Sequence, residues 1–284
     1  MLELDRIAKR FGGVVACADV SLTVRYGEVF GLAGNGKTTV LRIAAGLLPP
    51  DSGAVRRMGE RLGYLPEARG LYPRMLVLDQ LVYLAELQGA GVNDAVRAAE
   101  LWAARFGLRG RRGDRVRQLA PDEQRRLCLA VAFVSSPDVL VLDEPFAGLD
   151  AAASDVLAGA VRERAAAGAA VLLATDELAV VERLCDRAGV LHNGRMAAEG
   201  TVEELRAAAR VELVVDAPQA PPDWTDGLPG VVLLSVHNGL FRLALKEGAD
   251  DQTVLKAALA TGPVREFSRV HPGLADVFGN VMDV

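Results

Sequence analysis

A glycine-rich segment near the start of the chain has the residue types needed to bind phosphate. Residues Gly31–Thr38 satisfy the pattern G-x-x-x-x-G-K-[ST], and the surrounding sequence places them between a strand and a helix. Glycines let backbone N–H groups turn toward phosphate oxygens, and a helix N-terminus adds positive potential. In this pattern Lys37 neutralises phosphate charge and the Thr38 hydroxyl binds Mg²⁺. A plain glycine turn between the two elements is the alternative interpretation.

A second candidate is a pair of carboxylates at the end of an apolar run. Leu140–Leu142 is followed by Asp143 and Glu144, then by Pro145 and by Gly148–Asp150. An acidic pair that ends an apolar strand is often only a solvated strand end. The longer run, with the proline and the Gly-Leu-Asp at fixed distances, is far more specific than the pair alone.

Strands that alternate with helices are expected to position both segments. Residues 28–32 form a short apolar run, and the apolar spacing after it predicts a helix from Lys37 to Leu48. Val139–Leu142 and Ala170–Ala174 are predicted to be buried strands, with a helix over Ala151–Ala167 between them. This alternation predicts a parallel sheet.

The remaining parts of the chain have different residue patterns. Residues 1–25 alternate apolar and polar in places, which predicts antiparallel strands, and residues 77–131 are mostly helical in pattern. Residues 216–230 hold four prolines and are predicted to be a linker or long loop. Beyond it the pattern predicts a hairpin turning at His237–Gly239, a helix near Asp251–Leu259, a strand near Val264–Val270 and a final helix. We therefore expect one domain over residues 1–205 and a small accessory domain over residues 206–284.

Together these segments resemble the nucleotide-binding domain of ABC transporters. The run Leu140–Asp150 is similar to the Walker B strand and D-loop of ABC ATPases. By this resemblance Asp143 would hold Mg²⁺ through water, Glu144 would be the catalytic residue that polarises the attacking water, and Asp150 would contact a partner subunit. The resemblance covers residues 1 to about 205 and fits the single-domain bacterial exporter type.

The C-terminal part resembles the accessory domain of one exporter subgroup, which includes proteins similar to sodium-efflux ATP-binding subunits. The implied fold is α/β. It consists of a P-loop NTPase domain of the ABC type, with a mixed sheet core, an antiparallel β subdomain and a helical subdomain, followed by a small C-terminal α+β domain.

Shorter segments match the remaining family motifs. Lys9–Gly12 resembles the A-loop, in which an aromatic ring stacks on adenine, although Phe11 could equally be a core residue. Leu62–Pro73 resembles the Q-loop, Leu119–Arg126 stands where the signature belongs, and Leu172–Leu178 resembles the switch segment. The resemblance assigns nucleotide contacts to Phe11, Gly34, Asn35, Gly36, Lys37, Thr38, Thr39, Glu67 and Asp176, and Mg²⁺ to Thr38 and Asp143.

Several of these motifs depart from the family pattern at groups that would face the terminal phosphate. The phosphate loop lacks about three residues relative to the usual G-P-N-G-A-G-K-T-T, so the formal match uses Gly31 from the strand. Glu67 replaces the usual Gln, and Asp176 replaces the switch His. The signature Ser and glycines are Ala120–Asp122. The local alternative is that Pro121 followed by two acidic residues is simply a good helix start.

Composition narrows the classes of partner. The chain has 284 residues, of which 51% are hydrophobic and 24% are charged, and its net charge is −5. It shows no basic stripe, so nucleic acid is not an expected partner. The three cysteines lie far apart without a metal-binding spacing, which is typical of a reducing cytosol. No apolar run approaches the ~18 residues of a membrane span, so a transport function requires a separate membrane protein.

Two hypotheses follow from the sequence. The first is an ATP-binding subunit that binds MgATP, forms a homo- or heterodimer of nucleotide-binding domains and drives a separate integral-membrane permease. The second is a catalytically impaired subunit that supports an active ATPase partner, which the altered motifs favour. Both place the chain in the cytoplasm, peripheral on the inner face of the membrane. A soluble translation-type ABC protein is a third possibility, against which a single nucleotide domain argues.

Overall fold

The computed structural model describes residues 1–67, 70–207, 212–246, 248–270, 273–274 and 277–278. The chain divides into two compact units, Met1–Val202 and Glu203–Val284. The strands are β1 (Leu2–Phe11), β2 (Val14–Val24), β3 (Val29–Gly34), β4 (Ser52–Arg57), β5 (Leu62–Leu65), β6 (Val139–Asp143), β7 (Ala170–Ala174), β8 (Arg187–His192), β9 (Arg195–Thr201), β10 (Glu212–Asp216), β11 (Val231–His237), β12 (Leu240–Leu245) and β13 (Glu266–Val270). The α-helices are α1 (Lys37–Ala44), α2 (Val77–Leu87), α3 (Val92–Arg105), α4 (Pro121–Phe133), α5 (Ala151–Ala166), α6 (Leu178–Leu184), α7 (Val202–Ala207) and α8 (Asp251–Thr261).

The first unit contains a six-stranded sheet in the order β5-β6-β7-β3-β8-β9. All pairs from β5 to β8 are parallel, and β9 is antiparallel to β8. Every residue of β6 and β7 is buried, which explains why both strands read as continuous apolar runs. The parallel sheet predicted from the alternation of strands and helices is confirmed. Because β3 lies beside β7, and β7 beside β6, the carboxyl ends of these three strands meet at one edge.

A second, antiparallel sheet in the first unit has the order β2-β1-β4. The antiparallel strands predicted over residues 1–25 are thus confirmed, with β1 and β2 paired from Leu2 opposite Val24 to Phe11 opposite Val14. Their inward side chains join those of α1 and the parallel sheet in one apolar core, which includes Ile7, Phe30 and Leu41. Helices α2, α3 and α4 form a helical part in which the rings of Trp102, Phe106 and Phe133 pack together.

Helix α1 is shorter than the sequence pattern predicted. It ends at Ala44, because Gly46 adopts a φ of +75° and the Leu47 N–H turns back to the Arg42 carbonyl at 2.9 Å. This is the closure that glycine favours just beyond a helix. Leu47 consequently has 63% of its surface exposed instead of lying on the apolar face of the helix.

The second unit contains a four-stranded antiparallel sheet in the order β11-β12-β10-β13, with α8 packed on it. The predicted hairpin is confirmed as β11 and β12, and its turn uses positive φ values at Asn238 and Gly239. The predicted helix and strand appear as α8 and β13. The final helix predicted for the tail lies largely outside the described residues.

Across the part of the chain that the structure describes, no helix combines the length and the apolar character that crossing a membrane requires.

The close contact between β5 and α4 gives a first prediction. A Cβ on Gly63 would lie 2.2 Å from the Ala132 carbonyl oxygen, so Gly63→Ala should lower the free energy of unfolding by about 1–3 kcal/mol. Denaturant unfolding measures the change. The control is Gly159→Ala in α5, where a Cβ meets nothing within 4 Å. That change should raise stability by roughly 0.5–1 kcal/mol, since alanine is the better helix former. A Gly63→Ala protein as stable as the parent would contradict the packing described here.

Candidate functional site

Three segments that are distant in sequence meet at the carboxyl ends of β3, β6 and β7. The Lys37 ammonium lies 2.5 Å from Asp176 Oδ1 and 3.5 Å from Glu144 Oε1. The Lys37 side chain is 10% exposed, so its charge depends on these carboxylates more than on water. The residues predicted from the glycine-rich segment, the acidic pair and the switch segment are therefore brought together.

The loop between β3 and α1 consists of Asn35 and Gly36 alone. Gly34 and Gly36 both have positive φ values, +90° and +96°, and their backbones lie against other strands. A Cβ on Gly34 would lie 2.0 Å from the Leu191 carbonyl oxygen, and one on Gly36 would lie 2.5 Å from that of Ala16. Only glycine fits both requirements, so these two positions are held by backbone geometry.

The strand does not unwind to lengthen this loop. Gly31, the first glycine of the formal pattern, lies inside β3 and pairs with β7 and β8. The Asn35 N–H donates to the Leu191 carbonyl at 3.1 Å, so it continues the sheet and does not point to an open site. The backbone donors that remain are at the start of α1, because the first N–H groups of a helix have no intrahelical acceptor. Lys37, Thr38 and Thr39 provide them.

Asp143 ends β6 as a completely buried carboxylate. Burial raises the pKa of Asp143, the Glu67 charge raises it further, and the Thr38 hydroxyl and the Lys37 charge act in the opposite direction. Neither of its oxygens accepts a hydrogen bond of normal geometry. A buried carboxylate without such partners is costly for the folded chain, and a cation beside it would remove the cost.

The donors around Asp143 suit Mg²⁺ better than a transition metal. Mg²⁺ prefers hard oxygen ligands and is commonly bound by one or two protein oxygens together with water and substrate phosphates. Thr38 and Asp143 offer such oxygens. Among the described residues no group of three or more His, Cys, Asp or Glu side chains is arranged to hold a metal ion. The residues therefore fit an ion that takes most of its ligands from elsewhere.

Glu144 follows directly in a strained backbone conformation, with a φ of +45°. Its N–H donates to the Ala174 carbonyl at 2.9 Å, and its own carbonyl accepts a hydrogen bond from the Arg125 guanidinium. Burial raises the pKa of the Glu144 carboxyl, and the neighbouring Lys37 charge opposes the rise. Arg125 thus fixes the backbone at Glu144, a role that no motif in the sequence predicts.

Glu67 and Asp176 line the same cleft as Glu144, with a volume of about 650 Å³. Asp176 also accepts a hydrogen bond from the Gly34 N–H at 3.3 Å. Phe11 is the last residue of β1, and 50% of its surface is exposed. That exposure argues against the core alternative for this ring. Asp150 caps α5, since its Oδ1 accepts from the Ala153 N–H at 2.7 Å.

Both the sequence and the fold are similar to those of known proteins. The ABC transporter family profile matches residues 17–147, and a profile for the C-terminal domain of DrrA1-3-like ATP-binding proteins matches residues 200–282. The ABC transporter ATP-binding protein YhaQ of Bacillus subtilis is 31% identical over 98% of this chain and 97% of its own. The Nod factor export ATP-binding protein I of Burkholderia lata is 34% identical over 72% of each chain.

This chain belongs to the ABC transporter ATP-binding proteins. A solved ATP-binding subunit of an ABC transporter matches with a TM-score of 0.69 and 29% identity over 73% of this chain and 92% of its own. The dimeric MJ0796 cassette has the same fold, with a TM-score of 0.66 and 20% identity over 71% of this chain and 98% of that chain. The protein is thus an ATP-binding subunit of an ABC transporter.

At the signature position of this ABC subunit a helix begins, and its first backbone donors and charges are paired with side chains of the same chain. Helix α4 begins at Pro121, and Glu123 accepts from the Ala120 N–H at 2.9 Å while it pairs with Arg111 at 2.8 Å. Asp122 pairs with Arg126 at 2.5 Å. The hydrogen bond from the Ala120 N–H lowers the pKa of Glu123, and the contact with Arg126 lowers the pKa of Asp122. The dipole of α4 is therefore complemented by its own carboxylates.

This arrangement predicts a pH-dependent contribution to stability. Glu123→Gln keeps an acceptor oxygen but removes the charge, so we expect a loss of about 0.3–1 kcal/mol at neutral pH. The folded-state pKa of Glu123 is lowered, so this contribution is present above the unfolded-state pKa and is lost as the pH falls through the folded-state value. Unfolding of both proteins between pH 7 and pH 3 measures it, and their difference should shrink in acid. Glu86→Gln, the same change at an exposed position of α2, is the control and should alter stability little. A difference that persists unchanged in acid would contradict the role of the charge.

Proposed function

We propose that this subunit binds MgATP at the carboxyl ends of β3, β6 and β7 and couples nucleotide binding and hydrolysis to transport through a separate integral-membrane permease. The observation that supports it is the convergence of Lys37, Asp143 and Glu144 from two separate strands on one site. Binding a Mg·triphosphate requires at least a strand-to-helix turn with a lysine for the phosphates and an acidic residue at a strand end for the metal ion.

Each residue has a proposed role in this site. Gly34, Asn35 and Gly36 shape the loop, and Lys37 with the amides of Thr38 and Thr39 holds the phosphates. The Thr38 hydroxyl and Asp143 hold Mg²⁺, which when bound neutralises phosphate charge. Glu144, with its raised pKa and aimed backbone, polarises the attacking water. Further proposed nucleotide contacts are Phe11 for adenine, and Glu67 and Asp176 at the phosphate end.

The proposed partners follow from the family. ABC ATP-binding subunits dimerise as cassettes and work with membrane permeases, as the dimeric MJ0796 cassette illustrates for the first point. We propose a homo- or heterodimer at the cytoplasmic face of the membrane, with residues 1–205 as the nucleotide domain and 206–284 as the accessory domain. The likeness to the Nod factor export protein supports export as the direction of transport.

A second candidate is a subunit with impaired turnover that supports an active partner. Two observations favour it. The loop is reduced to Asn35 and Gly36, so it offers few backbone amides to phosphate. At the start of α4 the Ala120 N–H already donates to Glu123. In a dimer this helix start faces the partner's nucleotide by family resemblance. A signature segment that is acidic and whose donors are already bonded would bind the partner's nucleotide weakly. The nucleotide site of this chain could still be closed by a regular signature segment on a different subunit.

Binding tests the proposed site first. Lys37→Ala should weaken binding of a fluorescent Mg·nucleotide to the full chain at least tenfold, because it removes the buried ammonium. Fluorescence titration measures this. Lys256→Ala, at an exposed position of α8, is the control and should bind as the parent does. Equal binding by all three proteins would show that nucleotide binds elsewhere or without specificity.

Turnover separates the two candidates. Glu144→Gln should lower the rate of phosphate release roughly 10²–10⁴-fold and leave nucleotide affinity nearly unchanged, as expected for a group acting on water. If the parent chain already releases phosphate only at the rate of the Glu144→Gln protein, alone and with its permease, the impaired subunit is the correct assignment.

The buried carboxylate gives a separate prediction. Asp143→Asn should raise the thermal unfolding midpoint of the nucleotide-free chain, since it removes a charge that burial disfavours. It should also remove the gain in nucleotide affinity on adding Mg²⁺, which we expect to be about tenfold or more in the parent. Calorimetry and titrations with and without Mg²⁺ check both effects. Asp155→Asn on the exposed face of α5 should change neither. A Mg²⁺ effect that survives Asp143→Asn would rule out this carboxylate as its cause.

A further inference from the structure

The carboxylate of Asp176 lies where an anion would bind to the phosphate loop. Its Oδ1 is 2.5 Å from the Lys37 ammonium and 3.3 Å from the Gly34 N–H. These are a lysine that belongs to a phosphate-binding pattern and a backbone donor of its glycine turn. The side chain of Asp176 is 71% exposed, so it reaches this place from the solvent side and not from the core.

The position of Asp176 is set by the end of β7. Ala174, the last strand residue, accepts a hydrogen bond from the Glu144 N–H, and the Thr175 hydroxyl accepts one from the Glu177 N–H at 3.1 Å. These two hydrogen bonds fix the backbone on both sides of Asp176. The carboxylate meets Lys37 because the backbone directs it there.

The charges around Lys37 are unbalanced. Two carboxylates contact the ammonium, those of Asp176 and Glu144, and the charges of Asp143 and Glu67 also act within the site. The cations near these groups, besides Lys37, are Arg42 on α1, whose charge acts on Asp143, and Arg125 on α4, which lines the same cleft. The carboxylates of Asp122 and Glu177 line this cleft as well. The outer end of the site, where Asp176 and Glu144 lie, therefore carries more negative than positive charge.

This imbalance acts differently on the phosphates of a nucleotide. The inner phosphates would be held mainly by backbone N–H groups at the start of α1, which do not involve Asp176, with Lys37 also reaching the β-phosphate. The terminal phosphate of a triphosphate brings one more negative charge toward the lysine that Asp176 already occupies. A histidine or an amide at this position could donate to that phosphate, whereas an ionised carboxylate only accepts.

We propose that Asp176 makes this site select a nucleoside diphosphate over the corresponding triphosphate. The inference rests on the proposed nucleotide site and names what sets its specificity. Asp176 is thus a specificity-determining residue, and it competes with the terminal phosphate for the Lys37 ammonium and the Gly34 N–H. The subunit would accordingly be populated mainly as its nucleoside diphosphate complex. Binding of a triphosphate would require the Asp176 carboxylate to move away from Lys37.

The experiment compares affinities, not turnover. Displacement of fluorescent ADP by unlabelled ADP and by the non-hydrolysable triphosphate AMP-PNP, both with excess Mg²⁺, gives two dissociation constants for the full chain. In the parent we expect ADP to bind at least tenfold more tightly than AMP-PNP. Asp176→Asn and Asp176→His should reduce this preference at least tenfold, mainly by tightening the triphosphate. Glu177→Gln removes the adjacent exposed charge and should leave the ratio unchanged.

The outcomes separate the inference from the function on which it rests. If both nucleotides bind and Asp176→Asn shifts their affinities equally, or if the parent prefers AMP-PNP, Asp176 does not set the specificity and the inference is overturned. If Glu177→Gln changes the ratio as much as Asp176→Asn, general charge and not the contact with Lys37 is responsible, which also overturns it. If no variant binds either nucleotide while circular dichroism shows all of them folded, the proposed nucleotide site itself fails.

Discussion

Among the described residues, the Lys37 ammonium is the positive charge that lies buried where β3, β6 and β7 end, and the rest of the site is arranged around it. Carboxylate oxygens of Asp176 and Glu144 lie within 3.5 Å of this ammonium. In the nucleotide-free chain these carboxylates therefore pair with the ammonium in place of the phosphates of a bound nucleotide. A ligand must compete with them, and the net strength of the site is the difference between two sets of strong electrostatic contacts.

The short loop and the N-terminus of α4, which is capped by its own side chains, also weaken nucleotide binding. The loop uses the Asn35 N–H to extend the sheet, and α4 uses the Ala120 N–H to bind Glu123. Both donors are satisfied inside the chain, which favours the folded ligand-free protein over the complex. Yet Asp143 remains buried with no hydrogen bond of normal geometry to its oxygens, a cost that a bound cation would relieve. The site thus combines weakened phosphate contacts with a retained place for a metal ion.

The fold was largely predictable where one pattern dominates. Continuous apolar runs identified β6 and β7, and the His-Asn-Gly turn identified the β11–β12 hairpin. The end of α1 was wrong because the apolar spacing continues through Leu47 while the backbone turns at Gly46. Arg125 could not be recognised, because its contact with the Glu144 carbonyl depends on how α4 packs against β5, the neighbour of β6, and no motif in the sequence predicts it.

The sequence by itself determined the identity of the chemical groups: a lysine and threonine at a glycine turn, an acidic pair after a strand, and a carboxylate at the switch position. Residue type and local spacing are enough for that, since each motif is contained within one strand and the turn after it. Only the tertiary structure decided that Asp176 binds Lys37 and Gly34, and that the strand keeps Gly31 and does not release it to the loop. Those outcomes depend on the order β6-β7-β3-β8, which places the ends of non-consecutive strands side by side and fixes which donors are already used.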